Sequence, residues 1–425
     1  MFKKQVQKKL ERFVRKYFQK HPNVKLVIVT GSVGKTSTKM AIADVLSVKY
    51  KIRTQVGNHN AELSTPLAIL GIDYPTNIRS ISQWRRAFKA AKLRIKSTDE
   101  PDVIIQEVGS DGPGQVPHFG TYATPDVAVV SAVSDEHMEF FKTLDKVAAE
   151  ELSAVNFSKF GLINRDDIGT KYIPLVTNTN IGTYGLNAEA EYWFEQTDFH
   201  LGVGYNGKIM LPDEPVEVTI QVLAPSAIKS ALAAAAVGYK LELTPDEIKR
   251  GVELIRPVAG RMNLLKGAEG SFIIDDTYNS SPLAVRNAVE TVYSIDSPSR
   301  IVVLGNMNEL GDTAEASHRA VGKLLNPNEL SHVITVGNMA NQWIADEAAK
   351  LGNDVKKFAT AIDAVMFVRE LLEQNAVVLV KGSQGGVYLE ELVKELLANA
   401  EDESQLVRQS PDWMAKKRDF FNQPN

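Results

Sequence analysis

The chain has 425 residues, 44% of them hydrophobic and 24% charged, no cysteine, and a net charge of −4. That length predicts about two or three domains, and the composition excludes a disordered chain, a collagen-like repeat and a disulfide scaffold. It also excludes a thiol nucleophile and a zinc ribbon. The near-neutral balance argues against a nucleic-acid partner. No apolar run approaches the roughly 20 residues that span a bilayer, and the lack of cysteine fits the expectation of a cytoplasmic chain.

Residues 1–20 carry eight Lys/Arg against Glu11 alone, and Phe2, Val6, Leu10, Phe13, Val14, Tyr17 and Phe18 recur at helical spacing. This predicts a basic amphipathic helix that His21-Pro22 ends. Either its apolar stripe docks on the protein, or it lies on an anionic membrane surface or binds a partner. From Val24 short apolar strands alternate with helices: VKLVIVT (24–30), DVIIQEV (102–108), DVAVVSAV (126–133) and KFGLIN (159–164) have the β-branched character of a parallel sheet covered on both faces. Residues 190–223 predict an antiparallel meander with Asn206-Gly207 as its hairpin turn. Two helices follow, at 226–241 and 244–255. After a linker at Pro257–Gly260, the strands SFIIDD (271–276), RIVVLGN (300–306), HVITVG (332–337) and AVVLVKG (376–382) mark a second α/β domain. The tail from 401 is polar apart from Trp413, Phe420 and Phe421. The resulting plan is a basic helix (1–23), a P-loop central domain with a mostly parallel sheet (24–257), a Rossmann-like α/β domain (258–400) and a tail (401–425).

Thr30-Gly31-Ser32-Val33-Gly34-Lys35-Thr36-Ser37 lies between the first strand and a helix, the context a phosphate loop requires. Its glycines let backbone N–H groups face phosphate oxygens. Lys35 neutralises their charge, and the Thr36 hydroxyl is a ligand for Mg²⁺. Gly31, Ser32, Val33, Gly34, Lys35, Thr36 and Ser37 are therefore the expected nucleotide contacts, although Val29 stands where the strict motif has its first glycine.

TGSVGKTST, Gly57-Asn58-His59-Asn60-Ala61-Glu62-Leu63-Ser64, Gly260-Arg261-Met262, Ile274-Asp275-Asp276-Thr277-Tyr278-Asn279-Ser280-Ser281-Pro282, Leu304-Gly305-Asn306-Met307-Asn308-Glu309 and Val380-Lys381-Gly382-Ser383 together resemble the Mur ligases, in this order, over about residues 24–395. The nearest resemblance is to the members that add D-alanyl-D-alanine. It implies an ATP- and Mg²⁺-dependent amide ligase. Such an enzyme turns a substrate carboxylate into an acyl phosphate and joins an amine to it, building a peptidoglycan precursor. By the same resemblance Glu107 holds magnesium, His137 lies at a second metal, Arg261 contacts phosphate, Asp276 contacts ribose and Asn279 contacts the nucleotide. Asn58, Asn60, His318, Lys381 and Ser383 fall to the substrates.

Four departures from the family pattern stand out. Where most members carry a carbamylated lysine, an ungapped count reaches Glu151, with Glu150 beside it. Glu151 (or Glu150) is expected to replace the carbamate as metal ligand. The His-Asn pair that reads adenine is replaced by Ser226 and Ala227, and an arginine by Gln384. Only 23 residues precede the first strand, too few for the family's uridine-binding front domain. That implies either a separate protein supplying it or a lipid-linked acceptor met at the membrane surface through residues 1–20. The competing expectations are a ligase for another carboxylate, such as a polyglutamate- or cyanophycin-like polymer, and a nucleotide-binding partner protein without catalysis.

Overall fold

The computed structural model describes residues 2–55, 61–110 and 112–422. The first domain is built on a six-stranded parallel sheet in the order Ile52–Arg53, Val103–Glu107, Lys25–Thr30, Val127–Val130, Phe160–Asn164, Ile181–Tyr184. Its central strands are buried throughout, which is why they read as continuous apolar runs. One face is covered by Lys35–Ser47 and the Ala-rich Pro225–Lys240, whose small residues let the two helices approach closely. The other is covered by Phe2–Lys20, Ile81–Lys96 and Leu144–Asn156. The strand order places Lys25–Thr30 between Val103–Glu107 and Val127–Val130. The carboxyl ends of these three strands and the segments just beyond them therefore bring Thr36, Glu107 and His137 to one end of the sheet.

The amphipathic helix Phe2–Lys20 docks by its apolar stripe: Val6, Leu10, Phe13, Val14 and Tyr17 are buried in the core. That stripe is not free to enter a bilayer, which corrects the membrane reading as far as it relied on it. Arg53 and Tyr17 both bond Glu100 Oε2 at 2.6 Å, tying the helix to the sheet edge. Among the described residues no helix is long and apolar enough to cross a membrane.

The meander forms strands Trp193–His200, Gly204–Met210 and Pro215–Ile220, but its first turn is at Leu201–Val203. Asn206-Gly207 lies inside the middle strand. A Cβ at Gly207 would lie 2.3 Å from Glu195 O and 2.6 Å from the Phe194 ring, so close packing, not a turn, requires this glycine.

The second domain is a six-stranded sheet in the order Asn263–Lys266, Phe272–Asp276, Val377–Lys381, Arg300–Gly305, His332–Val336, Val355–Phe358, parallel except for its first strand. Two of these strands, Asn263–Lys266 and Val355–Phe358, are short edge strands that the apolar pattern did not reveal. The tail is not loose. Helix Pro411–Phe421 buries Lys417 against Glu390 (3.0 Å) and Glu391 (2.6 Å), and Phe420 and Phe421 pack on Tyr388.

Candidate active site

The phosphate loop is held rigidly before any ligand is considered. Gly31 adopts φ 123°, and a Cβ there would lie 2.4 Å from Ser131 Oγ and 2.8 Å from Ala132 N. Gly34 at φ 85° turns the chain into helix Lys35–Ser47. The next strand's extension braces the loop: Ser32 N donates to Ala132 O at 2.9 Å, and Ser131 Oγ lies 2.6 Å from Val33 O. Lys35 Nζ donates to Gly31 O at 2.6 Å and to Glu136 Oε2 at 3.1 Å. Burial works against its charge, but Glu136, Glu151 and Glu107 more than compensate and raise its pKa, so Lys35 remains a cation.

Thr36 Oγ1 donates to Glu107 Oε2 at 2.9 Å, and Lys39 Nζ lies 3.7 Å from the same carboxylate oxygen. Glu107 ends its strand and lines a cavity of about 610 Å³ between the two domains. From the second domain Arg261 reaches across: its Nη2 is 3.4 Å from Thr36 Oγ1, its guanidinium lies 4.2 Å from the Tyr278 ring centroid, and its buried Nε has no hydrogen-bond partner among the described residues. Asp276 faces the same cavity with one oxygen accepting from Met262 N (3.1 Å) and the other from Lys381 Nζ (2.6 Å). Thr36 and Glu107 are hard oxygen donors on adjacent elements, the chemistry Mg²⁺ takes, so the first metal position fits the residues present.

The second metal position is not assembled in the same way. Among the described residues no three His, Asp or Glu side chains gather as a metal cluster. His137 lines the cavity at a left-handed φ of 51°, and its Nδ1 lies 2.9 Å from Glu309 Oε2 of the other domain. Burial lowers the His137 pKa, but the Glu309 contact and Glu136 outweigh it and raise the pKa overall. Glu151 does not line the cavity. It sits beneath the loop, where Oε2 accepts from Gly31 N at 2.8 Å and from the Thr30 hydroxyl. Burial pushes its pKa up to about 7, with Lys35 and these two donors pulling the other way. Glu150 is committed elsewhere, accepting from Gly114 N (2.7 Å) and Val116 N (2.8 Å). The expected carbamate replacement is thus a brace for the phosphate loop in this geometry, because the helix turns both carboxylates onto backbone donors.

The substrate residues divide. Lys381 lines the cavity but is paired with Asp276 and Asn279 O. Ser383 is buried between Asn308 N and Ser280 O. His318 is corrected to a structural residue: it is fully buried, Nε2 accepts from Met307 N (2.9 Å), and Nδ1 lies 2.7 Å from Ala314 O. Its pKa is lowered by burial. Asn58 and Asn60 lie outside the described residues. Asn279 and Gln384 line the cavity.

Sequence reasoning missed Lys39, Glu136, Glu309 and Arg408. Lys39 follows Lys35 by four residues, which places it on the same helix face, so its signal was present. Arg408 had none. It lies in the tail, chelates the buried Glu390 with two 2.8 Å bonds, and donates to Thr277 O and Tyr278 O (2.5 and 3.1 Å) under the ring that carries Arg261.

A phosphate loop in a parallel sheet, met by an arginine and a carboxylate from a second α/β domain, defines a two-domain nucleotide-binding protein with its site between the domains. Residues 29–238 match the Mur ligase middle domain and residues 260–384 the Mur ligase, glutamate ligase domain. The chain is 27% identical over 400 residues to the UDP-N-acetylmuramoyl-tripeptide–D-alanyl-D-alanine ligase of Bacillus subtilis, covering 91% of this chain and 79% of that protein. Its fold is similar to MurF from Acinetobacter baumannii (TM-score 0.76, 21% identity, 92% of this chain and 80% of that one). It is also similar to the MurF ligase from Thermotoga maritima in complex with ADP (TM-score 0.74, 23% identity, 93% and 84%). The chain belongs to the Mur ligase family and is an ATP-dependent ligase of that type, carrying its middle and C-terminal domains.

Proposed function

We propose that this enzyme joins D-alanyl-D-alanine, or a closely similar amine, to the peptide carboxylate of a peptidoglycan precursor. The observation that carries the reading is the approach of Arg261 to Thr36. It puts a cation from the second domain beside the phosphate loop of the first. In the proposed reaction a carboxylate oxygen attacks the γ-phosphorus, the bond to the β-phosphate oxygen breaks and ADP leaves. The amine nitrogen then attacks the acyl carbon, loses a proton, and inorganic phosphate leaves. Two anions must meet in the first step, so fixed cations and exact positioning are the protein's main contribution. Lys35 and Arg261 supply that charge from opposite domains. Thr36 and Glu107 would hold Mg²⁺, which when bound neutralises phosphate charge. Lys39 steadies the Glu107 carboxylate, and Asp276 faces the ribose. The relative's substrates, named above, support the acceptor and amine. Phosphate release measured across acceptors and amines tests this. Release should require both UDP-N-acetylmuramoyl-tripeptide, or its lipid-linked form, and the dipeptide. No release with any pair, or full release with a glutamate acceptor instead, refutes it.

We also infer that the enzyme contacts an anionic membrane surface, through helix Ile81–Lys96 rather than the buried stripe of the first helix. Arg85, Arg86, Lys89, Lys92 and Lys96 share one exposed arc with Ile81 (59% exposed) and Leu93 (61%), the pattern of an interfacial helix. The exposed cations of Phe2–Lys20, which packs beside it, extend that face. Vesicles containing phosphatidylglycerol should sediment the protein, and R85E/K89E/K92E should abolish this. Equal sedimentation with neutral vesicles, or none, refutes it.

A further inference from the structure

The interdomain cavity has two unlike ends. Lys35, Glu136, His137 and Glu309 make one end charged. The other lies between the first two turns of helices Pro225–Lys240 and Pro282–Ser294, and its lining there is neutral: Ser226, Ala227, Ser230, Ala284, Asn287 and Ala288. A nucleotide whose phosphates meet the loop places its base at the neutral end. An uncharged ring gains nothing from the ionic end and would strip water from its charges.

The polar groups available to read that base are few. Ser230 Oγ is engaged with Thr38 Oγ1 at 3.0 Å. Ala227, Ala284 and Ala288 offer no side-chain donor or acceptor. The Ser226 hydroxyl rotates to donate or to accept. Of the six lining residues just named, Asn287 carries the carboxamide. Among the described residues its side chain makes no hydrogen bond; its backbone oxygen accepts from the Thr291 hydroxyl (2.7 Å).

We propose that Asn287 is the base-reading residue, and that the enzyme consequently uses GTP as well as ATP. This rests on the nucleotide-dependent ligase reading above. Adenine presents an amino donor beside a ring-nitrogen acceptor, and guanine presents a carbonyl acceptor beside an N–H donor. A carboxamide has one of each in matching positions, and a half-turn of its terminal torsion exchanges them. A site selective for one purine has that amide locked by neighbouring hydrogen bonds. Among the described residues nothing holds the Asn287 amide in one orientation, so it pairs with either edge at similar cost. Sites whose buried groups are fixed to a single hydrogen-bonding pattern discriminate by about 10⁴ or more. This one lacks such groups.

The test is calorimetric titration of the full chain, in Mg²⁺, with ADP and with GDP, alongside phosphate release from ATP and GTP with acceptor and amine. Dissociation constants within about 30-fold of each other are expected, and a larger preference for ADP overturns the proposal. Asn287→Ala should weaken both nucleotides about tenfold, the effect of one or two lost hydrogen bonds. Unchanged binding removes Asn287 from the role. Asn287→Asp leaves acceptors only. It should move the ADP:GDP ratio at least tenfold toward GDP, because guanine offers adjacent N–H donors. That ratio is insensitive to the fraction of protein folded, and an unmoved ratio also overturns the assignment. Nucleotide binding without any phosphate release would count against the ligase reading and leave the base-reading result standing.

Discussion

Replacing Glu151 with alanine separates a loop brace from a metal ligand. In the structure Oε2 of this buried residue accepts two donors at the start of the phosphate loop, Gly31 N at 2.8 Å and the Thr30 hydroxyl. Alanine leaves both donors buried without an acceptor, at about 1–3 kcal/mol each. Relief of a carboxylate that burial already holds up to about 7 offsets part of this. The expected loss is about 2–4 kcal/mol of unfolding free energy. Glu151→Gln keeps an acceptor for Gly31 and should lose only about 1 kcal/mol. Urea denaturation of the three proteins gives these values, and nucleotide binding titrated against Mg²⁺ gives the second readout. A brace predicts large destabilisation for alanine, little for glutamine, and an Mg²⁺ midpoint within about threefold of wild type for the glutamine variant. An alanine variant of unchanged stability with a strongly raised Mg²⁺ requirement would refute the reasoning. It would restore Glu151 as the carbamate's replacement.

Arg408→Ala should destabilise the chain by about 3–5 kcal/mol, because Glu390 is then a buried charge short of its chelating partner. It should also raise the KM for ATP through the loosened Tyr278 under Arg261, and a KM unchanged in the folded protein would contradict this. The Tyr17 and Arg53 contacts outweigh the effect of burial and hold Glu100 down to about 2. A carboxylate depressed on folding stabilises above its unfolded pKa and loses that contribution as pH falls. Urea midpoints should therefore drop between about pH 4.5 and 2, and Glu100→Gln should flatten that drop. An identical pH profile for the variant would show that the network does not support the fold. Lys39→Met removes the cation 3.7 Å from Glu107 and should raise the Mg²⁺ concentration needed for half-maximal phosphate release. An unaltered Mg²⁺ dependence would mean that Lys39 serves only the fold, through its 2.8 Å bond to Gln55 O.

Much of the chain was legible because its signals are local. Consecutive β-branched runs announce strands buried on both faces, and the Gly31–Ser37 turn carries its own reason for existing between a strand and a helix. The amphipathic pattern of residues 2–20 located a helix correctly, yet periodicity says only that one face is apolar. It does not say whether protein or lipid covers that face, and here the sheet's own helices do. Asn206-Gly207 shows the opposite limit. The dipeptide has a strong turn preference, but the ladder places it mid-strand where Phe194 leaves no room for a Cβ.

The amino-acid sequence by itself determined the two α/β domains, the phosphate loop and the nucleotide chemistry, since each depends on residues within a turn or two of one another. Tertiary structure alone decided which of the marked side chains meet. It put Arg261 beside Thr36 across 225 positions, buried His318 on its own backbone partners, and turned Glu151 under the loop. It also brought the tail's Arg408 beneath the nucleotide site. A side chain's chemistry is set by what stands within about 3–4 Å of it. For buried polar groups that neighbour is chosen by packing between distant segments, which no local pattern encodes.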